Sequence, residues 1–283
     1  MKRPEPILAW HLFRELHGHL LDLLRSLAND DWHSPTVCSA WCVKDIASHL
    51  LDGDLRRLSF QRDGYMPPDA PTGFDSHAAL VAYLTRLNAD WTTATRRLST
   101  RTLIRLLEVS GVEVAELFEL SDPFGPATFP VGWAGDSHSV MWFDIAREYT
   151  ERWHHQRQIA LAVGRPTPID ARRLYHPVLD TFIRALPYAL RRADAPDGSA
   201  FVVSIEGEAG GDWHARRMDG GWTLFEGMSG SPAARVVIDQ GDAWRLFTKR
   251  TDRATARARF PGIRIEGDAG LGGSVLEMVA IMA

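Results

Sequence analysis

Residues 141–163 read MWFDIAREYTERWHHQRQIALAV, enough for about six turns of helix, and are followed by Gly164 and Pro166. A glycine stop with a proline shortly after it is typical of a helix C-terminus. Within this helix Glu151 and His155 are four residues apart, so both side chains project from one face. Two donors at this spacing can bind one metal ion without backbone strain, and they are the strongest chemical signal in the chain.

A third donor is predicted from an earlier helix, 43–60, in which His49 shares its apolar side with Ile46 and Leu50. In a helical bundle this helix can present His49 opposite the pair, and three N/O ligands leave a position open for water or substrate. On spacing alone an alternative stays open. An exposed Glu-His pair adds about 0.2–0.5 kcal/mol to a helix without any function, and a lone histidine is often a hydrogen-bonded core residue.

Other side chains near these three are weaker candidates. Glu148 is the alternative carboxylate on the face of Glu151, whereas His154 lies about 100° from His155 on the helical wheel and cannot easily serve the same ion. The remaining candidates could orient a ligand, bind a carboxylate or line a pocket, or could be ordinary surface charges and core aromatics: Asp52, Asp54, Arg56, Arg57, Arg152, Trp133, Trp142 and Trp153.

Composition excludes several classes of function. The formal net charge of −4 gives no basic field for nucleic acid or an anionic membrane. No run approaches the roughly 18 apolar residues that a membrane span needs, and the N-terminus does not resemble a signal peptide. A single pair of cysteines, Cys38 and Cys42, cannot form a disulfide framework for a chain of 283 residues. We expect them to be two small buried thiols rather than soft metal ligands. We expect a soluble cytoplasmic protein.

The first half of the chain is predicted to be all-α and the second half α+β. Apolar residues at helical spacing predict helices at 10–27, 43–60, 78–98, 103–120 and 141–163. After Pro168 one more helix, 171–192, leads into alternating runs that predict strands at 201–205, 213–218, 222–225, 235–238 and 263–266. Asp219-Gly220-Gly221 predicts a hairpin turn, and helices are expected at 242–248 and from Leu271 onward. We therefore predict two domains, 1–166 and 167–283.

Two segments resemble a known superfamily. WCVKDIASHL at 41–50 resembles the second-helix signature of the DinB-like metalloproteins, and ERWHHQRQI at 151–159 resembles their later metal-binding helix. The Glu-x-x-x-His form is similar to the mycothiol-dependent maleylpyruvate isomerase family. Three C-terminal segments resemble the sterol-carrier-like domain of that family: RVVID at 235–239, AWRLF at 243–247 and IRIEGD at 263–268.

The resemblance implies a DinB-like four-helix bundle followed by a small α+β sterol-carrier-like domain. It also implies a divalent metal ion, usually zinc, bound by His49, Glu151 and His155 as the catalytic centre. The thiol it implies is mycothiol, the low-molecular-weight thiol of actinobacteria. Bound as a thiolate at the open metal position, it would attack a small unsaturated electrophile, with isomerisation or S-transfer as the outcome.

Two alternatives to a thiol-using enzyme remain open in the sequence. The same open position can carry hydroxide in a metal-dependent hydrolase, or the bundle can be inactive while the second domain binds an apolar ligand. The electrophile, the residues that bind it or the thiol, and the oligomeric state are not assigned by the sequence.

One position departs from the resemblance. Cys42 stands where relatives usually have Ser or Thr, two residues before Lys44, and cysteine is a poor N-cap. With Asp45 at the third helical position, we expect this helix to lack a proper capping box.

Overall fold

The apolar spacing of the first half folds as helices in the computed structural model, which describes residues 2–68, 70–71, 73, 75–135, 138–227, 230–249 and 251–280. A short 3-10 turn, Trp10–Leu12, leads into the first helix. The five helices of this half are α1 (Phe13–Arg25), α2 (Val43–Arg56), α3 (His77–Thr95), α4 (Thr100–Leu120) and α5 (Met141–Ala162). All five lie where their periodicity predicts them.

Four of these helices share one apolar core, to which α1, α2, α4 and α5 contribute leucines, isoleucines and valines such as Leu24, Ile46, Leu107 and Ile159. The helix α3 packs against the side of α2, where the Trp91 Nε1–H donates to the Ser48 carbonyl at 2.8 Å. The helical half is thus a four-helix bundle with α3 alongside it.

The start of α2 differs from the prediction. The Asp45 carboxylate accepts hydrogen bonds from the backbone N–H of Cys42 at 3.2 Å and from its thiol at 3.3 Å, within a capping box. The expectation that this helix lacks a capping box is therefore wrong. Cys42 is extended, with φ −88° and ψ 176°, and the short Asp side chain can then reach back to the first free N–H groups.

The end of α2 also differs. The regular helix stops at Arg56, and the chain continues as a π-helix over Arg57–Arg62 instead of reaching Phe60 as an α-helix. Such π segments interrupt α-helices locally and are often found near functional sites.

The second half is α+β, as predicted. One expected helix is divided into α6 (Arg172–Ile183) and α7 (Leu186–Leu190), since Pro187 at the second position of α7 cannot donate a helical hydrogen bond. The later helices are α8 (Gln240–Phe247), α9 (Arg253–Arg259) and α10 (Ala269–Leu276). The sequence did not predict α9, which buries only Ala256 and has no apolar stripe.

A five-stranded sheet forms the centre of this half. Its strands are β1 (Ala200–Glu206), β2 (Gly211–Met218), β3 (Gly221–Phe225), β4 (Ala234–Asp239) and β5 (Arg264–Gly267). The order is β3-β2-β1-β4-β5, with β1 and β4 parallel and the other neighbours antiparallel. The predicted hairpin turn is present, with Asp219 at φ 52° and Gly220 at φ 76°. The predicted fold class, an α domain followed by an α+β domain, is confirmed.

Within the described residues the chain forms two compact units. One comprises Ala9–Thr128 and Glu148–Ile169, and the other comprises Met1–Leu8, Phe129–Arg147 and Asp170–Ala283. The predicted boundary at residue 166 places Met1–Leu8 and Phe129–Arg147 in the helical domain, whereas both segments lie in the α+β unit.

Local contacts tie these two segments to the α+β unit. The Glu226 N–H donates to the Lys2 carbonyl at 2.9 Å, and Arg184 donates to the Glu5 carbonyl at 2.7 Å. Arg184 also lies over the Trp142 ring, 5.5 Å from its centroid. In the described part of the chain, no helix combines the length and apolarity that a membrane span requires.

Candidate metal centre

Three donor side chains from two helices meet in the bundle. His49 comes from α2, and Glu151 and His155 come from successive turns of α5. One ligand atom from each lies within 4.8 Å of the other two. The His155 Nε2 is 3.4 Å from a Glu151 oxygen, and the His49 and His155 rings meet edge to face with centroids 4.8 Å apart. The structure thus brings together the three residues that the sequence singled out.

Burial and charge set the protonation states of this cluster. Burial alone would raise the pKa of the Glu151 carboxyl, but the hydrogen bond with His155 and the nearby His154 and His49 lower it below its usual value. Burial, and then the charge of His155, lower the pKa of His49 well below that of a free imidazole. An ionised carboxylate beside a neutral imidazole is the state in which both residues bind metals.

One atom of the cluster has an unmet hydrogen-bonding requirement. The His49 Nδ1 is buried, and none of the described residues hydrogen-bonds to it. A buried polar atom without a partner is costly, typically about 1–3 kcal/mol. Two imidazoles and a carboxylate are a donor set that suits zinc and other first-row divalent ions. Two imidazoles and a carboxylate with ligand atoms within 4.8 Å of one another therefore fit such an ion.

The ring of His155 is held from its far side. Its Nδ1 lies 2.9 Å from the side-chain oxygen of Gln158, one turn further along α5. The Trp41 ring lies against both histidines, with centroids 4.8 Å from His49 and 6.1 Å from His155. The sequence pattern predicts no role for Gln158 or Trp41. The i,i+3 spacing of Gln158 from His155 was the signal available for the former.

His154 does not belong to the donor cluster. Its Nδ1 is 2.9 Å from the Thr150 carbonyl of the same helix, and its ring packs on His155 with centroids 4.0 Å apart. Burial, and then the charge of His155, lower the pKa of His154 to about 4. That the two neighbouring histidines cannot easily serve one ion stays a prediction.

Glu148, the alternative carboxylate, has a different partner. One of its oxygens lies 3.1 Å from Arg57 of the π segment. Close by, Arg152 and Asp54 form a buried ion pair, and the Ser110 hydroxyl donates to Asp54 at 2.6 Å. These charges are all shielded from solvent, so Asp54, Arg57 and Arg152 are not the surface residues that their sequence pattern favoured.

The remaining candidates lie outside the donor cluster. Asp52 pairs with Arg56 at 2.8 Å, one turn apart on α2. Cys38 donates to the Gln158 oxygen at 3.6 Å, and both cysteines are partly buried free thiols. Trp153 is a core residue whose Nε1–H donates to the Ile169 carbonyl, and Trp142 packs under Arg184. The side chain of Trp133 lies outside the described residues.

Comparison with known proteins gives a family and a fold. Residues 13–160 match the family described as the mycothiol maleylpyruvate isomerase N-terminal domain. The chain is similar to crystal structures of the mycothiol-dependent maleylpyruvate isomerase, at 13% identity, and of a histidine-to-alanine mutant of it, at 12%. In both cases the TM-score is 0.52, with 87% of this chain and 91% of the other covered. A search of curated proteins found no significant match.

Proposed function

The chain belongs to the mycothiol maleylpyruvate isomerase family, whose N-terminal domain matches more than half of its length, and on this premise we propose that it is a metal-dependent, mycothiol-dependent isomerase. Its substrate would be a small unsaturated electrophile of the maleylpyruvate type. The observation that carries the proposal is the set of three donor atoms, from His49, Glu151 and His155, within 4.8 Å of one another.

The three residues would act as the ligands of one divalent ion, with zinc as the best match to two imidazoles and a carboxylate. When bound, the ion would supply a Lewis acid that holds the thiol of mycothiol as a thiolate near neutral pH. Glu151 contributes the negative charge that favours a cation here. The Trp41 ring packs against both imidazoles and helps to hold them in place.

Addition of a thiolate to an activated double bond allows rotation about the former double bond, after which the thiol leaves and the isomer is released. S-transfer differs only in the last step, since the adduct itself becomes the product. Hydrolysis instead would need water in place of the thiol at the same position. Product analysis therefore separates the three reactions at one site.

The first experiment is metal analysis of the purified protein and of His49→Ala, with chelators avoided throughout. We expect about one equivalent of zinc or another divalent ion in the wild type and well under half of that in the variant, because one of three ligands is lost. His33→Ala removes an exposed histidine of the same unit and serves as the control. Metal-free wild-type protein that cannot be reloaded would contradict the proposal.

The second experiment is titration calorimetry of the zinc-loaded protein with mycothiol. Binding is expected in the wild type and should be lost in His49→Ala, while His33→Ala binds normally. Incubation with maleylpyruvate and mycothiol should then give the trans isomer with the thiol regenerated. A stable thioether product would indicate an S-transferase, and products of cleavage by water, formed without any thiol, would indicate a hydrolase. Absence of mycothiol binding at millimolar concentration would contradict the thiol mechanism.

A further inference from the structure

Gln158 is a buried amide on α5 that faces the candidate metal centre. Only 5% of its surface is exposed. Its side-chain oxygen accepts from the His155 Nδ1 at 2.9 Å and lies 3.6 Å from the Cys38 thiol, which also points a donor at it. The Gln158 oxygen therefore accepts hydrogen bonds from a histidine of α5 and from a thiol of the loop before α2.

This contact decides which nitrogen of His155 carries the proton. A neutral imidazole has one N–H and one lone pair. In the neutral ring that a metal ligand requires, donation from Nδ1 to the Gln158 oxygen leaves the lone pair on Nε2, where an ion would take the place of the proton that Nε2 shares with Glu151 at 3.4 Å. Metal-binding histidines generally donate their other ring N–H to such an acceptor, which fixes the tautomer and the ring orientation.

The loop before α2 also favours the orientation in which the Gln158 side-chain oxygen faces His155. The Thr36 hydroxyl donates to the Trp41 carbonyl at 2.8 Å and accepts from the Cys38 N–H at 3.1 Å. These two hydrogen bonds close the loop and hold Cys38 where its thiol reaches the Gln158 oxygen. Because the Cys38 thiol donates to the same atom, the amide presents its oxygen rather than its NH₂ group to His155.

We propose that Gln158 is a positioning residue of the metal centre, acting through His155 to keep Nε2 unprotonated and aimed at the ion. The inference rests on the proposed function, because it needs an ion at His49, Glu151 and His155. It concerns the affinity and geometry of the site and adds no group that touches the substrate.

The test is the zinc dissociation constant of the full-length protein, measured by competition with a chromogenic chelator. Gln158→Met keeps the length of the side chain but removes the strong acceptor, and zinc binding should weaken by about 10–100-fold. Gln158→Glu restores an oxygen that can only accept, so this variant should bind zinc at least as tightly as the wild type.

Gln156→Met is the matched control. Gln156 is equally buried on the same helix, but its amide donates to the Leu16 carbonyl of α1 instead. Its affinity for zinc should stay within about threefold of wild type, since loss of a buried amide by itself does not reach the ligands. Thermal unfolding of each variant shows whether the fold is kept.

Each outcome decides the inference. If the wild type binds zinc and Gln158→Met binds it within threefold, Gln158 does not position His155 and only this inference fails. If the methionine variant does not fold, Gln158→Glu decides, and a tenfold weaker affinity in that variant overturns the inference. If the wild type itself binds no divalent ion, the proposed function and the inference both fail.

Discussion

At the scale of the residue, Gly111 shows how closely two helices of the bundle approach each other. It lies in the middle of α4, beneath the buried ring of His17 from α1. A Cβ atom at Gly111 would stand 2.1 Å from the His17 Cε1, a distance that side chains do not tolerate. A glycine in a helix interior usually costs about 0.5–1 kcal/mol relative to alanine, and here it is needed for packing.

We therefore expect Gly111→Ala to destabilise the protein by about 1–3 kcal/mol, because the imidazole must move out of a packed interior. Gly18→Ala is the control, since no atom lies within 4 Å of its added methyl group and alanine favours a helix, for a gain of up to about 1 kcal/mol. Urea unfolding measures both changes. Equal effects of the two substitutions would contradict the close approach at Gly111.

The residues of the candidate site differ in how readily the sequence predicts them. Glu151 and His155 are predictable because their spacing is a property of one helix, and His49 because it lies on the apolar side of another. Gln158 is not predictable as their partner. Its position three residues after His155 gives it the correct side of α5, but the role of its oxygen also depends on Cys38, 120 residues away along the chain.

At the scale of the element, the start of α2 depends on a bond that the sequence did not suggest. Asp45 accepts from the Cys42 N–H and lies 3.4 Å from Arg96. We expect Asp45→Ala to lower the free energy of unfolding by about 0.5–2 kcal/mol, the usual cost of losing a cap. Measurement is by equilibrium unfolding in urea.

The ion pair and the cap can be separated experimentally. Arg96→Ala removes only the ion pair, in which the arginine side chain is largely exposed, and such pairs contribute about 0–1 kcal/mol. If Arg96→Ala and Asp45→Ala are equally destabilising, the stabilisation comes from the ion pair and the capping bond is unimportant.

Elements with strong local signals were predicted well. The helix α5 has a Gly stop and long periodicity, and the β2–β3 hairpin has Asp219 and Gly220 in the left-handed conformations that its turn requires. The break between α6 and α7 follows from Pro187, a local signal that the apolar periodicity obscured. The helix α9 has neither an apolar stripe nor a proline signal, so its sequence, RATARAR, gives little indication of it.

At the scale of the whole molecule, buried histidines make stability depend on pH. Burial, and then the charge of Arg152, lower the pKa of His17 to about 4 from 6.5. Between these values the unfolded chain binds a proton that the folded chain does not, so stability falls as pH is lowered from about 6.5 to 4. The loss from this group is on the order of 3 kcal/mol once both states are protonated.

We expect urea unfolding at several pH values to show this loss in the wild type and a clearly shallower pH dependence in His17→Gln, whose side chain does not titrate. His33→Gln removes an exposed histidine and should leave the pH dependence close to that of the wild type. An unchanged slope in His17→Gln would show that other groups dominate between pH 4 and 6.5.

The two-part organisation was predictable from the change in periodicity after Pro168, but the membership of residues 129–147 was not. Residues 141–147 carry the helical signal of α5, whereas contacts such as Gly135 against the Tyr188 ring tie the segment to the α+β unit. A domain boundary drawn from composition and hydrophobic periodicity divides the chain at one point. A compact unit, in contrast, can contain segments from distant parts of the sequence.

The backbone hydrogen bond between Lys2 and Glu226 has a consequence for biosynthesis. Its two residues are separated by 224 positions, so at about 5–20 residues per second the ribosome needs on the order of 10–45 s to make the second after the first. During that interval the helical segments from Ala9 onward emerge and can begin to collapse, while residues 2–8 have no strand to join. Residues 2–8 therefore cannot be held by Glu226 until that residue has been made, and this segment stays exposed to chaperones and proteases during the interval.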